Sequence, residues 1–379
     1  MRRALPRVAR YAAGTVFTGA ALAAGSLAWG ACERRFPVLR RYDVPVPAYR
    51  GIRPFTLLHI SDLHMYPGQD FLAHFLEAVA ERENVDLVIS TGDNFGSAQG
   101  LELAFAAHRP FFDLPGAFVL GSNDYFSARR KSWSRYLRSD ARTCDTSGRT
   151  PDLPWQDLVH AFTNAGWHDL SNASALCDLR LDADKGGRPP VAQVFSPETP
   201  RGLSSQMHGG TENCATSANH HTFAGVESRP WQTHEDSVTR YAAYAAYSGV
   251  QRVALIGVDD PHMNRDQIPL APKEWHRDDV FRVAVAHAPY RRVLDAFTDM
   301  GADLILAGHT HGGQFGLPGV GALVTNCDVP RQWAKGLHEW VSPKARSLLH
   351  VSAGLGTSPF VPFRIATRPE ASLLRIYPQ

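Results

Sequence analysis

Short apolar runs in this chain repeatedly end in aspartate, asparagine or histidine. Stretches with a helical spacing of apolar residues, 71–82 and 101–108, follow the first two of these runs. A unit of strand, polar loop and helix that recurs predicts an α/β fold, with parallel strands, crossover helices and a site at the C-terminal strand ends. Three predicted strands, each followed by polar residues, open the folded part of the sequence. They are residues 55–60 before Asp62 and His64, residues 85–90 before Asp93, and residues 116–120 before Asn123.

The same pattern returns in the second half of the chain. Residues 281–286 lead into His287, and residues 304–307 lead into the glycine-rich turn that carries His309 and His311. Glycine allows the backbone of such a turn to approach closely, while the strand before it fixes the position of the imidazoles. This is how proteins commonly present metal ligands.

The side chains at these five strand ends are carboxylates, imidazoles and an amide, which suit divalent ions such as Mn, Fe, Zn or Mg. They are too many for one ion, and two ions held close together need a bridging carboxylate, for which Asp93 is the natural candidate. Taken singly, each has an ordinary alternative. Asp62 and Asp93 could cap the helices that follow them, and the paired histidines could be loop residues.

Other polar residues lie close to these strand ends in the sequence. Asp259, Asp260 and His262 follow the predicted strand 253–258, where they either line the site or form a proline-stabilised turn. His59 and His350 fall inside predicted strands, and we expect them to be core or surface histidines rather than ligands.

Taken together, the ordered motifs resemble those of the calcineurin-like metallophosphoesterase family. The later features Gln314, Gly354-Leu355-Gly356-Thr357 and Arg368-Pro369-Glu370, with the membrane-directed N-terminus, are similar to its membrane-associated bacterial branch. The resemblance covers about residues 55–170 and 250–376. The motifs are Asp62-Leu63-His64, Gly92-Asp93-Asn94, Gly121-Ser122-Asn123-Asp124, His287 and Gly308-His309-Thr310-His311.

The resemblance implies a four-layer α/β/β/α sandwich of two mixed sheets with a dinuclear metal site at the C-terminal strand ends. It implies a metal-dependent hydrolase of phosphomonoesters or phosphodiesters, in which a metal-bridging hydroxide attacks phosphorus in line. The implied ligands are Asp62, His64 and His311 for the first ion, His287 and His309 with an asparagine of the third motif for the second, and Asp93 as the bridge.

The third motif departs from the family pattern. The family usually has Gly-Asn-His-Asp or Gly-Asn-His-Glu, in which Asn binds metal and His protonates the leaving group. Here Ser122 takes the Asn position and Asn123 the His position. Either Asn123 still reaches the metal and the acid is missing, or Ser122 is the ligand and Asn123 orients the phosphate.

Asparagine has no titrating proton to donate, and losing a general acid typically costs about 10²–10⁴ in rate. Asp124 or His262 could substitute as the acid, so we include Asn123 and Asp124 as catalytic candidates and Asn94, Ser122 and His262 as substrate-binding candidates. The alternative function is a weakly active or non-catalytic metal- or phosphate-binding protein at the membrane surface.

The N-terminal segment predicts a membrane role. Residues 1–10 contain four arginines, and residues 11–32 contain no charge, which is long enough for a single-pass anchor. A cleaved signal peptide and a buried helix are the alternatives. We expect a linker over 33–54, a catalytic domain over 55–377 outside the cytoplasm at the cell membrane, and an insertion over 178–235, which has little periodicity. Such an anchor makes a lipid-linked phosphate a candidate substrate.

The composition excludes few other functions. A net charge of +2 gives no argument for nucleic acid binding. The five cysteines include no Cys-x-x-Cys pair, and their odd number leaves room for at most two disulfides. Within the predicted insertion, the spacing of His208, Cys214, His220 and His221 fits no known zinc pattern.

Overall fold

The computed structural model describes residues 25–128, 149–181, 249–317 and 320–379. Residues 1–10, most of the predicted anchor 11–32, and most of the predicted insertion 178–235 with its histidines and Cys214 lie outside this part of the chain.

The described residues form two six-stranded sheets, a short hairpin and a set of helices. The strands are β1 (Val38–Val46), β2 (Phe55–Ile60), β3 (Leu87–Ser90), β4 (Gly116–Phe118), β5 (His168–Asp169), β6 (Ala173–Leu181), β7 (Gly249–Gly257), β8 (Val280–Val285), β9 (Leu304–Ala307), β10 (Gly316–Leu317), β11 (Gly321–Ala322), β12 (Gly336–Val341), β13 (Arg346–Val351) and β14 (Glu370–Pro378). The α-helices are α1 (Asp70–Arg82), α2 (Leu101–His108), α3 (Ser122–Tyr125), α4 (Trp155–Asn164) and α5 (Arg291–Asp299).

Each sheet mixes parallel and antiparallel strands. The first has the order β1-β14-β2-β3-β4-β5, and the second has the order β12-β13-β9-β8-β7-β6. The strands that precede the predicted ligands pair in parallel, β2 with β3 and β3 with β4 in one sheet, and β8 with β9 in the other. Their C-terminal ends therefore meet at one edge of each sheet.

Alternation along the strands builds four layers. Leu57 on β2 and Leu306 on β9 belong to the apolar cluster between the sheets. Leu58 faces the opposite way, toward Leu76 of α1, while Ile305 joins the cluster of Phe297 on α5. The predicted α/β/β/α sandwich of two mixed sheets is confirmed.

Two predicted boundaries are wrong. The predicted linker 33–54 contains β1, which pairs in parallel with β14 at the edge of the first sheet. The predicted insertion does not begin at residue 178, because β6 continues to Leu181 and pairs there with Gly249 of β7. The segment 182–248 therefore connects the neighbouring ends of two paired strands.

The N-terminal end of the described chain packs against the domain. Residues 25–33 are helical, and the carbonyl of Gly30 accepts a hydrogen bond of 3.0 Å from the amide of Arg364. The Glu33 carboxylate accepts one of 2.9 Å from the amide of Ala366. Within the described ranges, no helix has the length and apolar character needed to span a membrane. Cys32 and Cys177 are free thiols.

Candidate metal centre

The predicted ligands sit on an unusual backbone. Five of them, including His309 with a φ of +67°, are non-glycine residues in the left-handed region. Such conformations cost of order 1–3 kcal/mol each and cluster at functional sites. The strand ends thus hold these side chains in orientations that an unconstrained loop would not favour. The five residues are Asp62, His64, Asp93, His309 and His311.

The first group of side chains consists of Asp62, His64 and His311. The Nε2 atoms of the two histidines are 3.0 Å apart, and their rings stack. Asp62 Oδ1 lies 3.9 Å from Nε2 of His64 and 3.7 Å from Nε2 of His311. Three ligand atoms therefore converge on one point.

The second group consists of Asp93, His287 and His309. Nε2 of His287 lies 3.2 Å from Nδ1 of His309 and 3.5 Å from Oδ2 of Asp93. Nδ1 of His287 lies 2.7 Å from the carbonyl oxygen of Thr91. Because a carbonyl only accepts, Nδ1 carries a proton, and Nε2 supplies the lone pair that a metal needs once a second proton has left the ring.

Asp93 stands between the two groups. Its Oδ2 is 3.5 Å from Nε2 of His64 in the first group and 3.5 Å from Nε2 of His287 in the second. One carboxylate oxygen is thus equally close to ligand atoms of both groups, which is the arrangement a two-metal centre requires of a bridge.

Unsatisfied polar atoms test whether cations fit this centre. Asp62 Oδ2 accepts from the amide of His309 at 2.9 Å, whereas Asp62 Oδ1 is buried and has no hydrogen-bond partner among the described residues. Buried polar atoms are rarely left unpaired. The orphaned oxygen faces the two imidazoles of the first group, so the residues present fit a divalent ion.

Sequence comparison gives the same assignment. Residues 55–313, more than half of the chain, match the calcineurin-like phosphoesterase family. The chain belongs to this family. No curated protein matches it.

Among solved structures, the chain is similar at low sequence identity to the following three. A protein from Thermus thermophilus is 10% identical, with 79% of this chain and 90% of that one covered and a TM-score of 0.35. A phosphopantetheinyl hydrolase from Mycobacterium tuberculosis is 12% identical, with 79% and 90% covered and a TM-score of 0.31. A dimetal phosphatase from Danio rerio is 9% identical, with 79% and 88% covered and a TM-score of 0.30.

In this calcineurin-like phosphoesterase the two groups differ in charge before metal binds. Burial lowers the pKa of His309 and of His311 well below the usual value, and neighbouring imidazoles lower it further. Burial also opposes a charge on His287, but nearby carboxylates, Asp93 first, raise the pKa of His287 well above the usual value. His311 of the first group and His309 of the second therefore offer neutral imidazoles, whereas His287 of the second group holds a proton.

The third motif places Asn123 beside the bridge. Its backbone amide donates to Asp93 Oδ1 and its side-chain amide to Asp93 Oδ2, both at 2.7 Å. The hydroxyl of Ser122 has its Oγ 3.5 Å from Nδ2 of Asn123. Of the two candidates that the sequence leaves open for the metal-ligand position, Asn123 is the one whose side chain contacts the metal centre.

In the same motif, the position of Asp124 argues against its predicted role as a general acid. Asp124 is fully buried and accepts hydrogen bonds from the amides of Asp93, Asn94 and Gly121. Burial raises the pKa of Asp124 to about 7, with the Asp93 charge adding to the rise. Asp124 thus holds the loops of the centre in place and is not presented to a leaving group.

Asn94 is also committed to the protein. It is buried, and its side-chain amide donates to Asp124 at 3.3 Å while its Oδ1 lies 3.4 Å from Ser90 Oγ. The burial of Asn94 and its hydrogen bonds within the protein argue against the predicted substrate contact. Asp62 and Asp93 do not cap helices either, because Gln69 precedes α1 and Gly100 precedes α2.

His262 is brought to the rim of the second group. Its ring centroid lies 4.5 Å from that of His309, and its Nδ1 is 2.8 Å from the hydroxyl of Tyr290. The adjacent Asp260 accepts from the amide of His262 at 2.8 Å. This geometry is compatible with the predicted substrate contact.

Sequence reasoning missed Arg364, which is fully buried near the first group. Its guanidinium donates to the carbonyls of Ala353 at 2.8 Å and Gly354 at 3.0 Å, and its Nη2 is 3.2 Å from Nδ1 of His311. Gly354, with a φ of +67°, abuts Asp62 so closely that a Cβ would collide with it. The glycine motif at 354–357 would have pointed to this loop, but no sequence signal indicates the arginine.

Proposed function

We propose that this chain is a metal-dependent hydrolase of phosphomonoesters or phosphodiesters. The observation that carries the proposal is the position of Asp93, with one carboxylate oxygen 3.5 Å from a nitrogen of each histidine group. Membership of the calcineurin-like phosphoesterase family supports the same reaction.

In this proposal Asp62, His64 and His311 hold one divalent ion, His287 and His309 hold the other, and Asp93 bridges them. When bound, the two ions would neutralise phosphoryl charge and lower the pKa of water, so that hydroxide forms at neutral pH for in-line attack. The left-handed backbone of the loops keeps the ligand atoms converged before the substrate arrives.

Asn123 completes the second half. The nitrogen and oxygen of an asparagine amide can exchange places by a half-turn of the side chain, and their hydrogen bonds decide which orientation is adopted. Rotation of the Asn123 amide by half a turn would direct Oδ1 to the place where Nδ2 now meets Asp93 Oδ2. Asn123 is then the amide ligand of the second ion, and Ser122 lies on the substrate side.

The proton for the leaving group must come from another residue, since Asn123 cannot supply it. His262 is placed for contact with the substrate, next to His309 and oriented by Tyr290. A good leaving group, such as a nitrophenolate, would need no acid at all.

The direct test is hydrolysis of a nitrophenyl phosphodiester by the purified protein loaded with Mn²⁺. Wild-type protein should turn over, and Asp93→Ala should not. If the loaded wild type is as inactive as Asp93→Ala across a panel of phosphomonoesters and phosphodiesters, the proposal is wrong.

A second candidate function is a weakly active or non-catalytic metal- or phosphate-binding protein. The specific observation that favours it is the Asn123 amide, which occupies the position of the usual imidazole and donates to Asp93. Asn123→His separates the two candidates. A large gain in rate indicates a weakened enzyme, whereas loss of bound metal indicates that Asn123 is a ligand in an active one.

We further propose that residues 11–32 anchor the protein in the cell membrane with its domain outside the cytoplasm. Residues 25–33 end against the backbone of Arg364, whose side chain reaches His311. An anchor there would bring the metal centre near the bilayer, which favours a lipid-linked phosphate as substrate.

This localisation predicts that the full chain remains in the membrane fraction after an alkaline wash and is digested by protease added to intact cells. Recovery in the soluble fraction would contradict it. For the substrate, turnover of a phosphoester lipid embedded in vesicles should exceed that of its water-soluble headgroup analogue.

A further inference from the structure

Two buried histidines meet between the sheets. His59 lies on β2 of the first sheet and His350 on β13 of the second, and their Nδ1 atoms are 2.9 Å apart. Strand alternation turns both rings toward the layer that holds Leu57 and the partly buried Leu348. Both rings are fully buried, so each ring nitrogen without a hydrogen-bond partner lowers the stability of the fold.

From His59, a chain of hydroxyl groups leads to the metal centre. Nε2 of His59 is 2.9 Å from Oγ1 of Thr91. The Thr91 hydroxyl donates to Ser61 Oγ at 2.6 Å, and the Ser61 hydroxyl donates to Asp62 Oδ2 at 2.5 Å. All four side chains are buried, at 1% exposure or less. We call His350, His59, Thr91 and Ser61 the relay.

The relay ends at an acceptor, Asp62, and this acceptor sets the direction of every hydrogen bond in the relay. Oδ2 of Asp62 already accepts the amide of His309 and so acts as an acceptor, which makes Ser61 the donor to Oδ2 and Thr91 the donor to Ser61. Thr91 has then used its proton, and it accepts from Nε2–H of His59. Burial lowers the pKa of His59 to about 3, so its ring is neutral and its Nδ1 accepts from Nδ1–H of His350.

The relay selects which oxygen of Asp62 is left for a metal. Oδ2 receives the Ser61 hydroxyl and also the amide of His309 at 2.9 Å. Oδ1 receives no hydrogen bond from the described residues. With Oδ2 occupied by two donors, the carboxylate presents one oxygen to the first group and cannot rotate without breaking both bonds.

We propose that His59 is a positioning residue for Asp62, acting through Thr91 and Ser61, and that His350 fixes the tautomer of His59 this requires. The inference rests on the proposed function, because it assigns Asp62 to the first metal. It adds that the geometry of this ligand is tied to the packing of one sheet on the other, since the relay crosses between them. Hydrogen-bonded partners of metal ligands typically contribute 10–100-fold to metal affinity or activity.

The tautomers can be observed directly in the metal-free protein. In ¹⁵N-histidine spectra, His59 should be protonated on Nε2 and His350 on Nδ1, each signal being assigned by loss in His59→Gln or His350→Gln. Protonation of His59 on Nδ1 would reverse the relay and overturn the inference. This measurement does not depend on whether any phosphoester is hydrolysed.

Metal titration by calorimetry provides the second test. His59→Phe removes the donor to Thr91, and we expect the affinity for the first Mn²⁺ to fall about 10–100-fold. His59→Gln keeps one donor and one acceptor on the same side chain, and it should restore most of the affinity. A merely structural histidine would not distinguish these two replacements.

His108 supplies the matched control. It is also fully buried, and burial lowers its pKa to about 4. Its ring packs on Phe162 and Trp167, outside the layer between the sheets. His108→Phe should lower thermal stability as His59→Phe does, yet leave metal affinity unchanged. Equal loss of affinity in both variants would show that any buried-histidine change suffices, and the inference would be wrong.

If His59→Phe does not fold, Thr91→Val breaks the same relay with the loss of a single hydroxyl, and we expect the same direction of change. A wild type that binds no metal contradicts the proposed function. A wild type that binds metal no more tightly than a folded His59→Phe or Thr91→Val contradicts only the relay.

Discussion

The two halves of the metal centre are built from the same residue types but are held in different ways. In the first, the imidazoles of His64 and His311 stack with their Nε2 atoms 3.0 Å apart, and Asp62 Oδ1 has no partner among the described residues. In the second, His287 is hydrogen-bonded to the Thr91 carbonyl, and the surrounding carboxylates, chiefly Asp93, raise the pKa of His287 against the effect of burial. In the second half a proton on His287 can occupy the place of an ion, whereas His311 of the first half is a neutral imidazole.

This difference suggests that the halves respond differently to metal removal. Without metal, the second half keeps its arrangement through the His287 proton and its bond to the backbone. The first half keeps its arrangement only because the left-handed loops and the hydrogen bonds to Asp62 Oδ2 hold it. Substitutions that act on one half or on both can test this comparison.

Loss of the shared residue should have the largest effect. Asp93→Ala removes the carboxylate next to both halves, and we expect kcat/KM for a phosphodiester to fall by about 10³-fold or more, which corresponds to about 4 kcal/mol. Asp178→Ala, at an exposed ion pair with Arg252, is the control and should be unchanged. If Asp93→Ala removes only one of the two bound ions, Asp93 serves one half only.

The next prediction separates the halves by stability. His287→Ala removes a fully buried ring whose proton is bound to the Thr91 carbonyl, and it should destabilise the metal-free protein by about 1–3 kcal/mol. His311→Ala should change metal-free stability much less while still removing one ion. Thermal unfolding in chelator and metal content of the purified variants measure both effects. Equal destabilisation would mean that the halves are held alike.

Much of this centre is visible in the sequence. Each ligand follows an apolar run that becomes a buried strand, as Asp93 follows β3 and His309 follows β9, and parallel pairing then brings the strand ends together. The partners of those ligands are not visible in this way. Thr91 and Arg364 are far in the sequence from Asp62 and His311, and only the tertiary fold brings them there. Ser61 directly precedes Asp62, but the sequence does not show that its hydroxyl links Asp62 to Thr91.

The edges of the fold are the least predictable part. β1 carries Arg40, Arg41 and Pro45, which do not resemble a buried strand and favour its interpretation as a linker. Charged residues and proline are typical of edge strands, where one side of the backbone pairs with no neighbour. β6 is likewise an edge strand. Its alternation of apolar and polar residues runs directly into the polar segment after Leu181, which hides the end of the strand in the sequence.

The pH dependence of metal binding should distinguish the halves again. The pKa of His287 is raised, so at neutral pH the metal-free ring is protonated and an ion must displace that proton. The pKa of His311 is lowered, so its ring is already neutral. Affinity at the second half should therefore fall about tenfold per pH unit as pH decreases, with about one proton released on binding, whereas the His311 imidazole adds no such loss.

Calorimetry in buffers of different ionisation enthalpy measures this proton release for each of the two binding events. His287→Gln is the matched variant, since it keeps a polar side chain without a titrating ring, and it should release fewer protons. Equal proton release at both sites in the wild type would contradict the difference in charge between the halves.

The smallest expected effect concerns the rim of the second half. Tyr290→Phe removes the hydroxyl 2.8 Å from Nδ1 of His262, and one hydrogen bond is worth about 0.5–1.5 kcal/mol, or about 2–10-fold in rate. If His262 assists the leaving group, the loss should appear with an alkyl phosphoester, whose alkoxide needs a proton, and largely disappear with a nitrophenyl ester. Metal affinity should be unchanged, because Tyr290 is not among the ligands. The same loss with both esters would mean that His262 positions the phosphate and that the leaving group departs without its help.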